Sequence, residues 1–137
     1  MSKIWFDHIG IACESNEKSE KFWSLLGFNV AGREENLEQG VKIRFMEGNK
    51  APQPSLELLE PISEDTPVGR FISKRGGGVQ QVALGTDDLM GLLSKLKSND
   101  IRLINQKPVH GAGGSMITFI HPSSTGGVLV ELVQKEP

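Results

Sequence analysis

Leu129-Val130-Glu131-Leu132-Val133, close to the C-terminus, carries a carboxylate in the middle of an aliphatic run. Ser55-Leu56-Glu57-Leu58-Leu59 does the same, 131 − 57 = 74 residues earlier. Short apolar runs bounded by turn residues read as strands, and two such runs with the same interruption point to a repeat. The repeat extends through most of the chain. At an offset of 81 − 8 = 73, His8 falls on Gln81, Gly10 on Ala83, Trp23 on Leu96 and Phe28 on Ile101. After one inserted residue, Val41-Lys42-Ile43-Arg44-Phe45 falls on Ser115-Met116-Ile117-Thr118-Phe119.

Helix signals sit at matching places in the two copies. Leu89, Leu92, Leu93 and Leu96 recur at i, i+3, i+4 and i+7, which predicts a helix over 87–99 with Thr86 or Asp87 as its cap and Asn99 at its end. A helix over 16–26 is capped by Ser15 or Asn16, takes apolar bulk from Phe22, Trp23, Leu25 and Leu26, and stops at Gly27. A shorter helix over 67–74 has Thr66 as cap and Pro67 at its first position, where a missing N–H costs nothing. Strands are expected at 4–12, 28–34, 41–47 and 55–60, and again at 79–85, 101–105, 115–121 and 127–134. Gly48 to Pro54 reads as an exposed hairpin loop.

The pattern is a duplicated βαβββ unit of about 70 residues, present twice and too long for a solenoid. It predicts an α+β fold: two tandem modules, about 4–62 and 76–134, forming a curved mixed sheet around a cleft within one domain spanning 1–137. A chain of 137 residues suits one domain. The net charge of −2 gives no field to attract a phosphate backbone or an anionic membrane, so neither nucleic acid nor membrane is an expected partner. With Cys13 as the sole cysteine, an intrachain disulfide and a thiolate zinc site are both excluded. No signal peptide or membrane-length apolar run is visible, and the expected location is cytoplasmic.

Aligning the copies singles out four polar residues inside apolar strands: His8, Glu57, Gln81 and Glu131. A glutamate within an aliphatic strand either faces solvent or, if buried, needs ionic compensation. The first alternative leaves His8 as a structural histidine. The second brings two carboxylates, an imidazole and an amide oxygen to one point by pseudo-twofold symmetry, where they would neutralise a divalent cation and leave positions for substrate.

Several motifs resemble the methylmalonyl-CoA epimerase family of the vicinal oxygen chelate, or glyoxalase/bleomycin resistance, superfamily. They are Asp7-His8-Ile9-Gly10-Ile11-Ala12, Glu38-Gln39-Gly40-Val41, Leu56-Glu57-Leu58-Leu59-Glu60-Pro61, Gly111-Ala112-Gly113-Gly114 and the run from His121 to Leu132. The resemblance implies the paired βαβββ fold, a homodimer and one divalent metal ion per chain, drawn from cobalt, nickel, zinc, manganese or magnesium. His8, Glu57 and Glu131 match the family's ligands; Gln81 stands where the family usually has histidine, in a Gln80-Gln81 pair. The implied activity is epimerisation of methylmalonyl-CoA or a related acyl-CoA through α-proton abstraction and a metal-stabilised enolate, with Glu131 as the catalytic base. A second acid/base is required on the opposite face, and Glu57 is its symmetric candidate. Gln39, Gly113 and Gly114 are candidates to line the cleft or to let backbone approach the pantetheine or phosphates. Two other readings of the fold remain: a lactoylglutathione lyase of the glyoxalase I type, and a non-catalytic small-molecule-binding protein.

Overall fold

The computed structural model describes residues 2–50 and 52–137, so Ala51 of the expected 48–54 loop lies outside the described residues. In chain order these residues form β1 (Ile4–Ala12), α1 (Asn16–Leu25), β2 (Asn29–Asn36), β3 (Val41–Glu47), β4 (Ser55–Pro61) and α2 (Pro67–Arg75). There follow β5 (Gly78–Thr86), α3 (Leu89–Ser98), β6 (Val109–His110), β7 (Met116–Ile120) and β8 (Val130–Gln134). This is the βαβββ order written twice, with α2 between the copies. Among the described residues no helix is long and apolar enough to cross a membrane.

Two compact units can be described, one made of His8–Gln80 and the other of Gln81–Pro137 with the chain up to Asp7. In the first, β1 pairs in parallel with β4, and β3 runs antiparallel to both β4 and β2. In the second, β5 pairs in parallel with β8, and β7 runs antiparallel to both β8 and β6. A parallel pair needs a crossover, and the stretch between its strands supplies the helix and the remaining strands.

The helix of each copy covers one face of its strands. Cys13, Met46, Leu56 and Leu58 form a buried cluster in the first unit, flanked by Ile9, Ile11, Trp23, Phe28 and Val30. In the second, Leu89, Leu93, Leu103, Ile120 and Leu132 are buried together, with Leu92 and Leu96 packed alongside. The leucine stripe of α3 is therefore the core face that its spacing predicts. α1 is different. Only Trp23 of its expected apolar residues packs inward, whereas Phe22, Leu25 and Leu26 are 56%, 87% and 60% exposed.

The duplication extends to a detail of how each helix is anchored. The Asn16 N–H at the start of α1 donates to Glu60 Oε1 at 2.9 Å, and the Leu89 N–H at the start of α3 donates to Gln134 Oε1 at 2.8 Å. Residues 16 and 89, and 60 and 134, are equivalent at offsets of 73 and 74. The last strand of each unit thus satisfies a helix N-terminal donor that has no partner within its own helix. Gln134 also donates from Nε2 to the Asp87 carbonyl at 2.9 Å. Gln134→Ala removes both bonds, and a loss of about 1–3 kcal/mol in unfolding free energy is expected from denaturant titration. A change below about 0.3 kcal/mol would show the latch to be redundant.

Local chemistry accounts for the departures from expectation. Ser15 and Thr66 cap α1 and α2 as expected, but α3 is capped by Asp88, whose carboxylate accepts the Gly91 N–H; Thr86 instead accepts the Asp88 N–H. The expected strand at 101–105 is reduced to a bridge between Leu103 and Ile120. That segment is tied to β7 by single bonds, Ile104 N–H to the Phe119 carbonyl and Phe119 N–H to Asn105 Oδ1. The outer strand is the two-residue β6, and β8 begins at Val130 rather than at residue 127.

Candidate metal and acid/base site

Side chains two residues apart on a strand share a face, and strand register therefore decides which polar groups meet. On β1 and β4, Gly10 pairs with Glu57, so His8 lies on the same face as Glu57, two residues back. His8 Nδ1 and Glu57 Oε2 are 3.2 Å apart. On β5 and β8, Ala83 pairs with Glu131, which puts Gln81 in the equivalent relation. Gln81 Nε2 donates to Glu131 Oε1 at 2.7 Å. The repeat in sequence has become a repeat in geometry, with one donor pair in each unit.

All four side chains are buried: His8 is 4% exposed, Glu57 7%, Gln81 7% and Glu131 4%. Neither glutamate lies on a solvated strand face. Removing two carboxylates from water is costly unless hydrogen bonds or a cation compensate them. One partner of Glu57 is the His8 imidazole, and one partner of Glu131 is the neutral Gln81 amide. Among the described residues, no group of three or more His, Cys, Asp or Glu side chains could by itself hold a metal ion. Gln81 stands outside those residue types. Its amide presents Nε2 to Glu131 and keeps Oε1, the atom that can ligate a cation.

The remaining candidates lie elsewhere on the two units. Gln39 is half-buried in the turn between β2 and β3, where its N–H donates to Asn36 Oδ1 at 2.9 Å. Gly113 and Gly114 sit in a short 3-10 turn at φ of 67° and 78°, exposed, with nothing within 4 Å of where a β-carbon would be. Those angles favour glycine, which places no side chain over the exposed turn. His110 is exposed on β6. His121 accepts the Ser123 N–H on Nδ1 and has a turn-forming role. Burial pushes the Cys13 thiol above its ordinary pKa, and its Sγ lies 3.0 Å from Asn16 Oδ1, so it is a packed group rather than a nucleophile.

Sequence reasoning passed over Trp5, which lies against Gly85 in the second unit. The only sequence signal was a glycine in a strand, which marks a close approach by something. It also passed over Glu20, whose carboxylate is 3.0 Å from Arg44. The second copy has Leu93 and Thr118 at those two positions.

Comparison with known proteins agrees with this architecture. Residues 7–119 match the Glyoxalase/Bleomycin resistance protein/Dioxygenase superfamily. Mitochondrial methylmalonyl-CoA epimerase of Bos taurus is 34% identical over 131 residues, covering 93% of this chain and 73% of that protein. A hypothetical protein of Bacillus halodurans superimposes with a TM-score of 0.92 at 38% identity, covering 98% of this chain and 96% of that one. A methylmalonyl-CoA epimerase in complex with methylmalonyl-CoA and NH4+ superimposes with a TM-score of 0.86 at 38% identity, covering 93% and 92%. The chain belongs to the glyoxalase/bleomycin resistance protein/dioxygenase superfamily, with methylmalonyl-CoA epimerases among its relatives in both sequence and structure.

Proposed function

We propose that this chain is a metal-dependent epimerase of methylmalonyl-CoA or a closely related acyl-CoA. The observation that carries the reading is the pair of buried carboxylates at equivalent positions, each joined to one further donor, in a chain whose relatives are epimerases. His8, Glu57, Gln81 and Glu131 would share one divalent ion. Two carboxylates, an imidazole and an amide oxygen suit such an ion, because the carboxylates balance its charge and their burial is then compensated. When bound, a divalent ion supplies Lewis-acid polarisation of the thioester carbonyl beside the reacting carbon.

The chain's own residues do the rest. Epimerisation breaks the C–H bond at the α-carbon and leaves the electron pair in the conjugated thioester. The proton is then replaced from the other face. Glu131 takes the proton on a carboxylate oxygen. The Gln81 amide, 2.7 Å away, fixes the orientation of that carboxylate. Its burial at 4% exposure keeps bulk water from competing for the position. Glu57 is the symmetric candidate for the second acid/base. Gln39, Gly113 and Gly114 would line the path of the acyl-CoA, the glycines at an exposed turn with no side chain in the way. Two copies would associate, and the exposed Phe22 and Leu25 of α1, with Leu26 just beyond its end, offer apolar surface for contact.

Purified protein given one epimer of methylmalonyl-CoA should produce the other in the presence of a divalent ion. The glutathione hemithioacetal of methylglyoxal should turn over far more slowly. Faster reaction of the hemithioacetal would move the assignment to the lyase. Failure with both, across several metals, would leave a binding protein. Sedimentation of the same sample reads whether two chains associate.

A further inference from the structure

Alternation along β5 places Gln81, Ala83 and Gly85 on one face. The register of β5 with β8 pairs Ala83 with Glu131 and Gly85 with Val133. Ala83, Val133 and Ile117 form a buried cluster flanked by Phe119, whose own partner across β7 and β8 is Glu131. Gly85 therefore lies on the face that carries Glu131, one alternation further along the strand, a step of about 7 Å.

That glycine is covered by an aromatic ring. A β-carbon at Gly85 would fall 2.5 Å from both Cε2 and Nε1 of Trp5 and 2.8 Å from its Cζ2. An approach along the ring edge would bring the two outer atoms closer than the ring-fusion carbon between them. Near-equal distances place the glycine beneath the face of the indole. The opposite face of the ring is turned away from the strand, and Trp5 is half-buried. The indole is thus packed on Gly85, one alternation along β5 from the residue opposite Glu131, and seated where a side chain at position 85 would displace it.

We propose that the outer face of Trp5 is a substrate-binding surface, which carries the planar amide of the cysteamine arm of an acyl-CoA. The proposal rests on the epimerase reading, because it takes the thioester to lie at Glu131. For Glu131 to reach the α-proton, the thioester must sit within hydrogen-bond range of the carboxylate. The first amide of the pantetheine chain begins two methylenes beyond the sulfur, a reach comparable with the step of about 7 Å along β5 from Ala83, opposite Glu131, to Gly85. An amide lying flat on an indole buries apolar area on both partners and leaves its N–H and C=O free at the edges for other bonds.

The test compares Trp5→Ala with wild type on three substrates: methylmalonyl-CoA, the N-acetylcysteamine thioester of methylmalonate, which keeps the amide, and the S-ethyl thioester, which lacks it. The expected result is a rise in KM of roughly 3- to 10-fold for the two amide-bearing substrates, with kcat nearly unchanged. The kcat/KM for the S-ethyl thioester should not change. Trp5→Phe should recover part of the loss. Gly85→Ala, which displaces the ring without removing it, should reproduce the KM effect and covers the case in which Trp5→Ala does not fold. Unchanged KM in both Trp5→Ala and Gly85→Ala overturns the proposal, as does an equal loss on the S-ethyl thioester. If wild type epimerises none of the three, the epimerase reading falls and this assignment with it; if wild type is active and the variants match it, only this assignment falls.

Discussion

Glu131→Gln, loaded to the wild-type metal content, is expected to exchange the α-proton of methylmalonyl-CoA for solvent deuterium about 10²–10⁴-fold more slowly than wild type. The substitution keeps the size of the side chain and one oxygen while removing the basic charge. On the proposed mechanism the proton abstracted in wild type would reside on a carboxylate that can exchange with solvent, so deuterium should appear at the α-carbon as the other epimer accumulates. Gln81 holds Glu131 from one side at 2.7 Å, and the variant can keep a hydrogen bond there if the new amide presents its oxygen. Metal content measured on the same samples separates a lost base from a lost ligand. Exchange at the wild-type rate in metal-replete Glu131→Gln would exclude Glu131 as the base.

His8→Ala and Glu131→Ala should each fall from about one bound divalent ion per chain to a small fraction of that after mild dialysis. Each change deletes one of the four donors proposed to share the ion. Elemental analysis reads the result directly, and unchanged content in both variants would reject the site. The amide position gives a complementary change in the opposite direction. An amide oxygen in place of an imidazole moves preference toward manganese or magnesium, so Gln81→His should bind cobalt, nickel or zinc more tightly than wild type. Equal or weaker cobalt binding would leave Gln81 as the orienting partner of Glu131 and remove it from the ligand set.

The consistency of these expectations comes from a feature legible in one sequence, the duplication. Each copy contains aliphatic strands with a glutamate at an equivalent place, and strand alternation makes that glutamate share a face with a polar residue of the first strand. The single offset that aligned His8 with Gln81 also aligned Asn16 with Leu89, and both pairs have equivalent hydrogen-bonded roles in the structure. The boundaries of β1, β3 and β4 and the cap of α2 were readable because turn chemistry and short-range periodicity determine them within a few residues.

What the sequence by itself determined about this protein is therefore local and repetitive: the βαβββ order, the leucine stripe of α3, and the four polar residues that interrupt the strands. The tertiary structure alone decided that Glu57 and Glu131 are buried rather than solvated, because a strand's periodicity separates its two faces without saying which is covered. Packing also chose Asp88 over Thr86 and Asp87 as the cap of α3, since three neighbouring side chains can all reach the helix start. It reduced the segment at 101–105 to one bridge and left the outer pairing to Val109 and His110. Trp5 against Gly85 was least accessible to sequence reasoning. Two residues eighty apart (85 − 5 = 80) meet only because strand register brings them together, and register follows from the summed burial of whole strands rather than from either residue's own chemistry.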